Sequence, residues 1–322
     1  MTESGRKGRG RSEVDESGLD IGVVGLDTSH AEGFATILSN ETNAAISAVW
    51  DGGDVRDDSY VTDFCDAFGA TRVADTASMI DIVDAVLILT ANWDRHRPIA
   101  KQFLEARVPA LVDKPIAGTL TDIEAIRAVA EQTGTPVFGG SAVPYHPSLR
   151  PMRSDEGRHD LFAVGYDEPF YYGGHLTDAA RQICGADWST IDVVPHGTAT
   201  TVTFGNGSHA TLHFDGPNRD GVFGFLDVGE ATRTAVIAGD ERELNRMYKP
   251  FLQRFLELAT THRLGELDSR ERRNAAPFDA ATLLLGVQVA LDSGTRVEPD
   301  SPELARHAED GEAFLAGYEP YY

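Results

Sequence analysis

Residues 19–51 constrain this chain more tightly than any other stretch. Leu19, Ile21, Val23, Val24 and Leu26 make a short apolar run of the kind found in a strand covered on both faces. The run ends in Gly25-Leu26-Asp27-Thr28-Ser29-His30, residues 31–38 follow a helical pattern, and a second apolar run at 45–50 closes on Asp51. Strand, glycine-bearing turn, helix, strand and terminal acid is the layout of a mononucleotide-binding βαβ unit. Its glycine signature is incomplete. Counted from Gly25, a full fingerprint needs glycine at 27 and 30, where this chain has Asp27 and His30.

The same grammar continues beyond Asp51. Apolar runs at 84–90, 110–112 and 136–138 alternate with helical patterns at 61–68, 99–106 and 122–132. The last helix is opened by a capping box of Thr121 and Glu124 and stopped by Gly134. Such alternation predicts a Rossmann-type, doubly wound parallel sheet over residues 19–142. Pro144, Pro147 and Pro151 then mark a crossing into a second unit, residues 143–322. There, strands at 200–204 and 209–214 meet through Gly205-Asn206-Gly207, and strands at 223–228 and 232–237 meet around Gly229-Glu230. A short helix at 176–184 and longer ones at 247–261 and 277–291 complete the pattern. The expected fold class is α/β: an N-terminal Rossmann sheet plus a C-terminal α+β domain with a largely antiparallel sheet.

Composition narrows the function. Residues 1–18 lack the apolar stretch of a secretory signal and read as a disordered tail. Within it, Arg6, Lys7, Arg9 and Arg11 are more simply a solvated charge cluster than a nucleic-acid contact. No apolar run approaches the roughly 20 residues of a membrane helix. The two distant cysteines, Cys65 and Cys184, offer neither a disulfide framework nor metal spacing. A soluble, cytoplasmic protein is expected. A net charge of −23 argues against nucleic acid as a partner. Only four of the 28 basic residues are lysines, and so acid-rich a surface suggests adaptation to high salt, where screening makes self-repulsion tolerable. Scarcity also makes each lysine worth questioning.

Lys114 is the strongest candidate for chemistry. It follows a buried strand and precedes Pro115, at the sheet edge where ligands of such folds bind. An ammonium there can act as general acid/base or clamp a developing oxyanion; a lysine paired with Asp113 at a strand end would look the same. Thr90, Asn92 and His96 end another central strand on the same edge, where they can line a cofactor or simply make turn chemistry. His175, with Asp178 one helical turn on, has the form of an oriented acid/base histidine. His209 and His213 share a strand face but have no third ligand in sight, so no metal is expected.

With Asp113-Lys114-Pro115 in place, residues 19 to 295 resemble the Gfo/Idh/MocA family of NAD(P)-dependent oxidoreductases. The family's Glu-Lys-Pro motif ends a Rossmann strand, and the resemblance makes Lys114 the catalytic lysine, with Asp113 a like-charged change. Thr90 through Asn92 to His96 is similar to its Thr-Pro-Asn-x-x-x-His segment, and Asp51 stands where its ribose-binding acid belongs. Gly173-Gly174-His175 is similar to its Asp-x-Gly-x-His motif, with Tyr171 in the place of the aspartate. The resemblance implies hydride transfer between NAD and a sugar, polyol or related hydroxy compound, with Lys114 and His175 exchanging the hydroxyl proton and Asp178 a substitute carboxylate. NAD is implied over NADP, because Asp51 accepts from a ribose 2′-hydroxyl and repels a 2′-phosphate. Gly25, Thr28, Ser29 and His30 would face the phosphates, where the Asp27 carboxylate works against binding: about 1 kcal/mol of repulsion in water and about 4 at an effective dielectric near 20. A homodimer or homotetramer is expected by analogy. The alternative is a non-redox binding or regulatory relative on the same fold.

Overall fold

A computed structural model of the chain describes residues 18–153, 157–166, 168–195, 198–216, 222–269, 271 and 275–318. The expected tail, apart from Gly18, lies outside these residues.

The apolar runs become β1 (Asp20–Val24), β2 (Ala45–Trp50), β4 (Ala85–Ile88), β5 (Ala110–Asp113) and β6 (Val137–Gly140), with a two-residue β3 (Thr71–Arg72) at the edge. All are parallel, in the order β3-β2-β1-β4-β5-β6. Every residue of β4 and β5 is buried, which is why those runs carry no polar alternation. Helices α1 (Ser29–Glu41), α2 (Asp58–Phe68), α3 (His96–Glu105) and α4 (Leu120–Thr133) make the crossovers. Strand order reverses between β1 and β4, so the crevice beyond their carboxyl ends is the ligand position of this sheet type. The cap of α4 differs in detail from the expected one. Thr28, with extended backbone, caps α1 by accepting from His30 N at 3.3 Å. Thr119, not Thr121, caps α4, because it has the extended backbone an N-cap needs and accepts from Asp122 N at 3.1 Å.

After a single helical turn, α5 (Arg150–Arg153), the second sheet forms from β7 (Asp160–Val164), β8 (Trp188–Val193), β9 (Ala199–Phe204), β10 (His209–His213), β11 (Phe223–Val228) and β12 (Thr232–Ile237). Its order is β12-β11-β7-β10-β9-β8, antiparallel except where β7 runs parallel to β10. Neither β7 nor β8 was expected. Helix α6 (Pro169–Cys184) packs on β7 and β10 and against α8 (Ala276–Ser293), while α7 (Glu241–Leu264) reaches back to α1. Helix α6 begins seven residues before the predicted start at 176, so Gly173, Gly174 and His175 are helical. The glycine pair reads as a breaker, yet here it lies against Phe214 and Leu284, where a small residue lets the helix approach. Two short helices, α9 (Pro302–Arg306) and α10 (Gly311–Gly317), return to the first sheet. No helix among the described residues is long and apolar enough to cross a membrane.

Candidate active site

The turns after β1 and β5 of the first sheet, the start of α6, the second sheet and α7 meet at one cavity of about 460 Å³. Lys114, one residue beyond β5, enters it with only 7% of its surface exposed. Its cis peptide bond to Pro115 lies at the sheet edge. The ammonium stands 3.3 Å from the centre of the Tyr171 ring and donates to the Tyr171 carbonyl at 3.3 Å. Tyr171 therefore replaces the expected carboxylate with a π-face, which attracts a cation without neutralising it. Burial lowers the Lys114 pKa from 10.5 to about 8, against the pull of Asp113 and Glu168. A lysine so placed changes charge near neutral pH.

His175 lines the same cavity. Its Nδ1 lies 2.7 Å from Ser141 Oγ, just after β6, and Ser141 in turn accepts from Val143 N at 3.0 Å. Burial first, and the Lys114 charge second, hold His175 well below the usual histidine range, so it is a neutral ring with Nε2 left for a ligand. Asp178 does not touch it, contrary to the expected His–Asp pair. Its carboxylate instead accepts from Ser141 N at 3.0 Å and from Arg181 and Gln182 further along α6. Asp178 thus reaches His175 only through Ser141 and does not line the cavity. Ser141 was missed from sequence, although its place directly after a central strand was a usable signal.

The nucleotide loop is more tightly internalised than the sequence suggested. Gly25 has φ +83°, and a Cβ there would stand 2.7 Å from Thr90 Cγ2, so only glycine fits. Asp27 is 2% exposed and accepts from Ala91 N at 2.7 Å. Burial, aided by Asp51 and Asp54, raises its pKa to about 6. His30 Nδ1 is 2.6 Å from Asp113 Oδ2, and burial of that carboxylate is outweighed by His30 and Lys114, which hold it below the ordinary range. Thr28, Ser29 and His30 open onto the cavity that holds Lys114 and His175. Asp51 caps β2 from both oxygens, accepting from Leu26 N at 2.8 Å and Gly53 N at 3.0 Å.

Thr90, Asn92 and His96 do not line the cavity. The Asn92 amide donates to Glu312 at 2.8 Å, and its oxygen accepts from Asp94 N at 3.0 Å. His96 is fully buried between the carbonyls of Ile116 and Thr90, at 3.1 and 3.0 Å, and ties the two strand ends together. The Thr90 hydroxyl turns back toward the Asn92 carbonyl at 3.4 Å. Their polar atoms are thus taken up by the strand ends and by Glu312. The residues fit a dinucleotide at α1: a glycine without room for a side chain, the start of a helix, and an acid ending β2.

Fold and site define a two-domain protein built on a nucleotide-binding Rossmann unit. Residues 19–141 match the model of the Gfo/Idh/MocA oxidoreductase family, NAD-binding Rossmann fold, and this N-terminal domain belongs to that family. YceM of Salmonella typhimurium, which bears an oxidoreductase name, is 25% identical over 212 residues, 61% of this chain and 65% of its own length, so the match spans just under two thirds of that relative. Among solved structures, GenD2 from gentamicin A biosynthesis, in complex with NAD, superposes with a TM-score of 0.72 at 17% identity, covering 92% of this chain and 100% of that one. The scyllo-inositol dehydrogenase of Lactobacillus casei gives 0.71 at 14% identity, covering 88% and 99%. These two likenesses show that the fold extends through both domains.

Proposed function

We propose that the chain is an NAD-dependent oxidoreductase that interconverts a CH–OH group and a carbonyl on a small hydroxy compound. The observation that carries this reading is a buried lysine with pKa about 8 sharing one cavity with the N-terminal turn of α1, in a domain of an NAD-binding family. NAD, when bound, supplies the acceptor for a hydrogen and two electrons from the oxidised carbon. Lys114, as the free amine, takes the hydroxyl proton, and as the ammonium returns it during reduction. His175 Nε2 hydrogen-bonds the substrate oxygen, its ring held by Ser141. Asp51 keeps a second lone pair on each oxygen for a ribose hydroxyl and repels a 2′-phosphate, which favours NAD over NADP. Because neighbours of this fold are named inositol dehydrogenases, cyclitols, sugars and other polyols are the first compounds to assay. The family domain favours this reading over a non-redox binding relative.

Titration with NADH tests it: a saturable fluorescence change is expected, and no change up to millimolar cofactor in high salt would sink the reading. Lys114→Ala should abolish turnover with cofactor affinity retained. The second sheet also offers a pairing surface for another copy of the chain, since its outer face exposes Phe162, Leu226, Val228 and Val236.

A further inference from the structure

His175 and Ser141 share a contact whose hydrogen can be placed. The His175 ring is neutral, because burial first and the Lys114 charge second work against a proton on it. A neutral imidazole carries a single N–H, so its other nitrogen can only accept. Nδ1 faces Ser141 Oγ at 2.7 Å, and that oxygen already accepts from Val143 N at 3.0 Å. Ser141 has one hydroxyl hydrogen to give, and at 1% exposure it is shut off from solvent.

Two arrangements compete for that contact. With the hydrogen on Nδ1, Oγ accepts twice and the serine hydrogen is buried with no acceptor among the described residues. A stranded buried donor disfavours an arrangement by about tenfold to a hundredfold. With Oγ–H aimed at Nδ1, both groups are satisfied and the ring hydrogen sits on Nε2. The serine is also held from behind. Its N–H donates to Asp178 Oδ2 at 3.0 Å, and Arg181 and Gln182 bind the other oxygen of that carboxylate at 3.1 to 3.3 Å.

We propose that Ser141 fixes His175 as the tautomer with its hydrogen on Nε2, so that His175 donates a hydrogen bond to the reacting oxygen and takes no proton from it. Ser141 is a positioning residue in this role, which rests on the oxidoreductase reading and deepens it. Lys114 is then the one base. In oxidation the C–H bond breaks and its hydrogen leaves with two electrons for NAD. The O–H bond breaks, its proton goes to the Lys114 amine, and its electron pair closes the C=O bond. His175 ends the step unchanged, still donating to that oxygen. In reduction the same donor stabilises the charge growing on oxygen. This departs from the expected exchange of the hydroxyl proton between Lys114 and His175.

Nitrogen NMR of the full chain carrying isotope-labelled histidine, in high salt, reads the tautomer directly. The His175 signals, assigned by their loss in His175→Gln, should show Nε2 bonded to hydrogen and Nδ1 as a bare acceptor. Ser141→Ala should turn this pattern into a mixture of both tautomers, with the Kd for NADH little changed. A hydrogen on Nδ1 of the wild type, or an unaltered pattern in Ser141→Ala, overturns the proposal and leaves the oxidoreductase reading intact. A chain without saturable NADH binding fails that reading and leaves the nitrogen signals to stand. These signals need no substrate, so they decide the tautomer whatever compound the chain turns over. In turnover of myo-inositol with NAD, His175→Gln supplies an amide N–H in place of Nε2–H and should keep kcat within about tenfold of the wild type. His175→Leu should lose about a hundredfold. Equal losses in the two variants overturn the donor role.

Discussion

Lys114 and Asp27 are both charged groups placed where their charged forms are disfavoured, and each has a measurable consequence. Lys114 falls from 10.5 to about 8 because burial outweighs its neighbours. Between these values the unfolded chain binds the extra proton, so stability rises with pH through that window, and below it the full cost, up to about 3 kcal/mol, is present. Lys114→Met should therefore raise stability at pH 7 by about 1–3 kcal/mol in urea denaturation while abolishing turnover. In the active protein, kcat/KM for oxidation should climb to a plateau above about pH 8, and that for reduction should fall there. Asp27 has the opposite sign: its folded value of about 6 exceeds 3.8, so the fold binds the extra proton and loses stability as pH rises between them. Asp27→Asn keeps an oxygen for Ala91 N and should gain about 1–3 kcal/mol at pH 8 and nothing below pH 4. The wild-type Kd for NADH should rise several-fold from pH 5 to pH 8, and that of the variant should not. Sequence reading found Asp27 as the awkward charge in the loop; its burial and its bond to β4's end lay beyond that reading, because the partner is 64 residues away.

Helix α10 shows how an element invisible in the sequence shapes the site. Seven residues long, it has too little periodicity to stand out, and its place is set by distant groups. Gly311 N donates to Asp94 Oδ2 at 2.9 Å, Trp93 Nε1 donates to the Glu309 carbonyl at 2.9 Å, and Glu312 takes the Asn92 amide. Its Phe314 then stacks on Tyr171 at 4.6 Å and on Trp93 at 4.9 Å, covering the ring that carries Lys114. Phe314→Ala should cost about 1–3 kcal/mol of stability. It should also admit water to Lys114, moving the inflection in the pH–rate profile upward from about 8 toward 10.5, which steady-state assays would resolve. The two unforeseen strands failed for another reason. Strand β8 lies at a sheet edge and mixes Ser189, Thr190 and Asp192 among apolar residues, so its pattern is diluted by solvent contact.

At the scale of the whole molecule, surface charge and the second sheet lead to separate expectations. With a net charge of −23, repulsion across the surface falls as salt shortens the Debye length to about 3 Å near 1 M. The urea midpoint should accordingly rise between dilute buffer and molar KCl, and a flat response would refute adaptation to salt. On the outer sheet face, Val236 is 70% exposed and Val228 47%. If a second copy covers it, Val236→Glu should convert a dimer or tetramer to monomers in sedimentation at high salt, with the secondary structure unchanged.

Residues 19–141 announced their fold because parallel strands buried on both faces must be continuously apolar, and that demand is written locally at β1, β4 and β5. The place of Lys114 was legible for a similar reason, since it directly follows the apolar run of β5, whereas His175 lies within α6 and was singled out with Asp178 as a pair that the fold does not form. Contacts between distant segments were not legible. Ser141 rather than Asp178 holds His175, Asp113 holds His30, Glu312 holds Asn92, and the Tyr171 ring lies under Lys114. Each of these joins side chains 34 to 220 positions apart, or depends on the direction a side chain takes from its helix, which no local pattern encodes. Local burial therefore specified the sheet and the edge that carries Lys114, while tertiary packing alone decided which groups are charged there and what surrounds them.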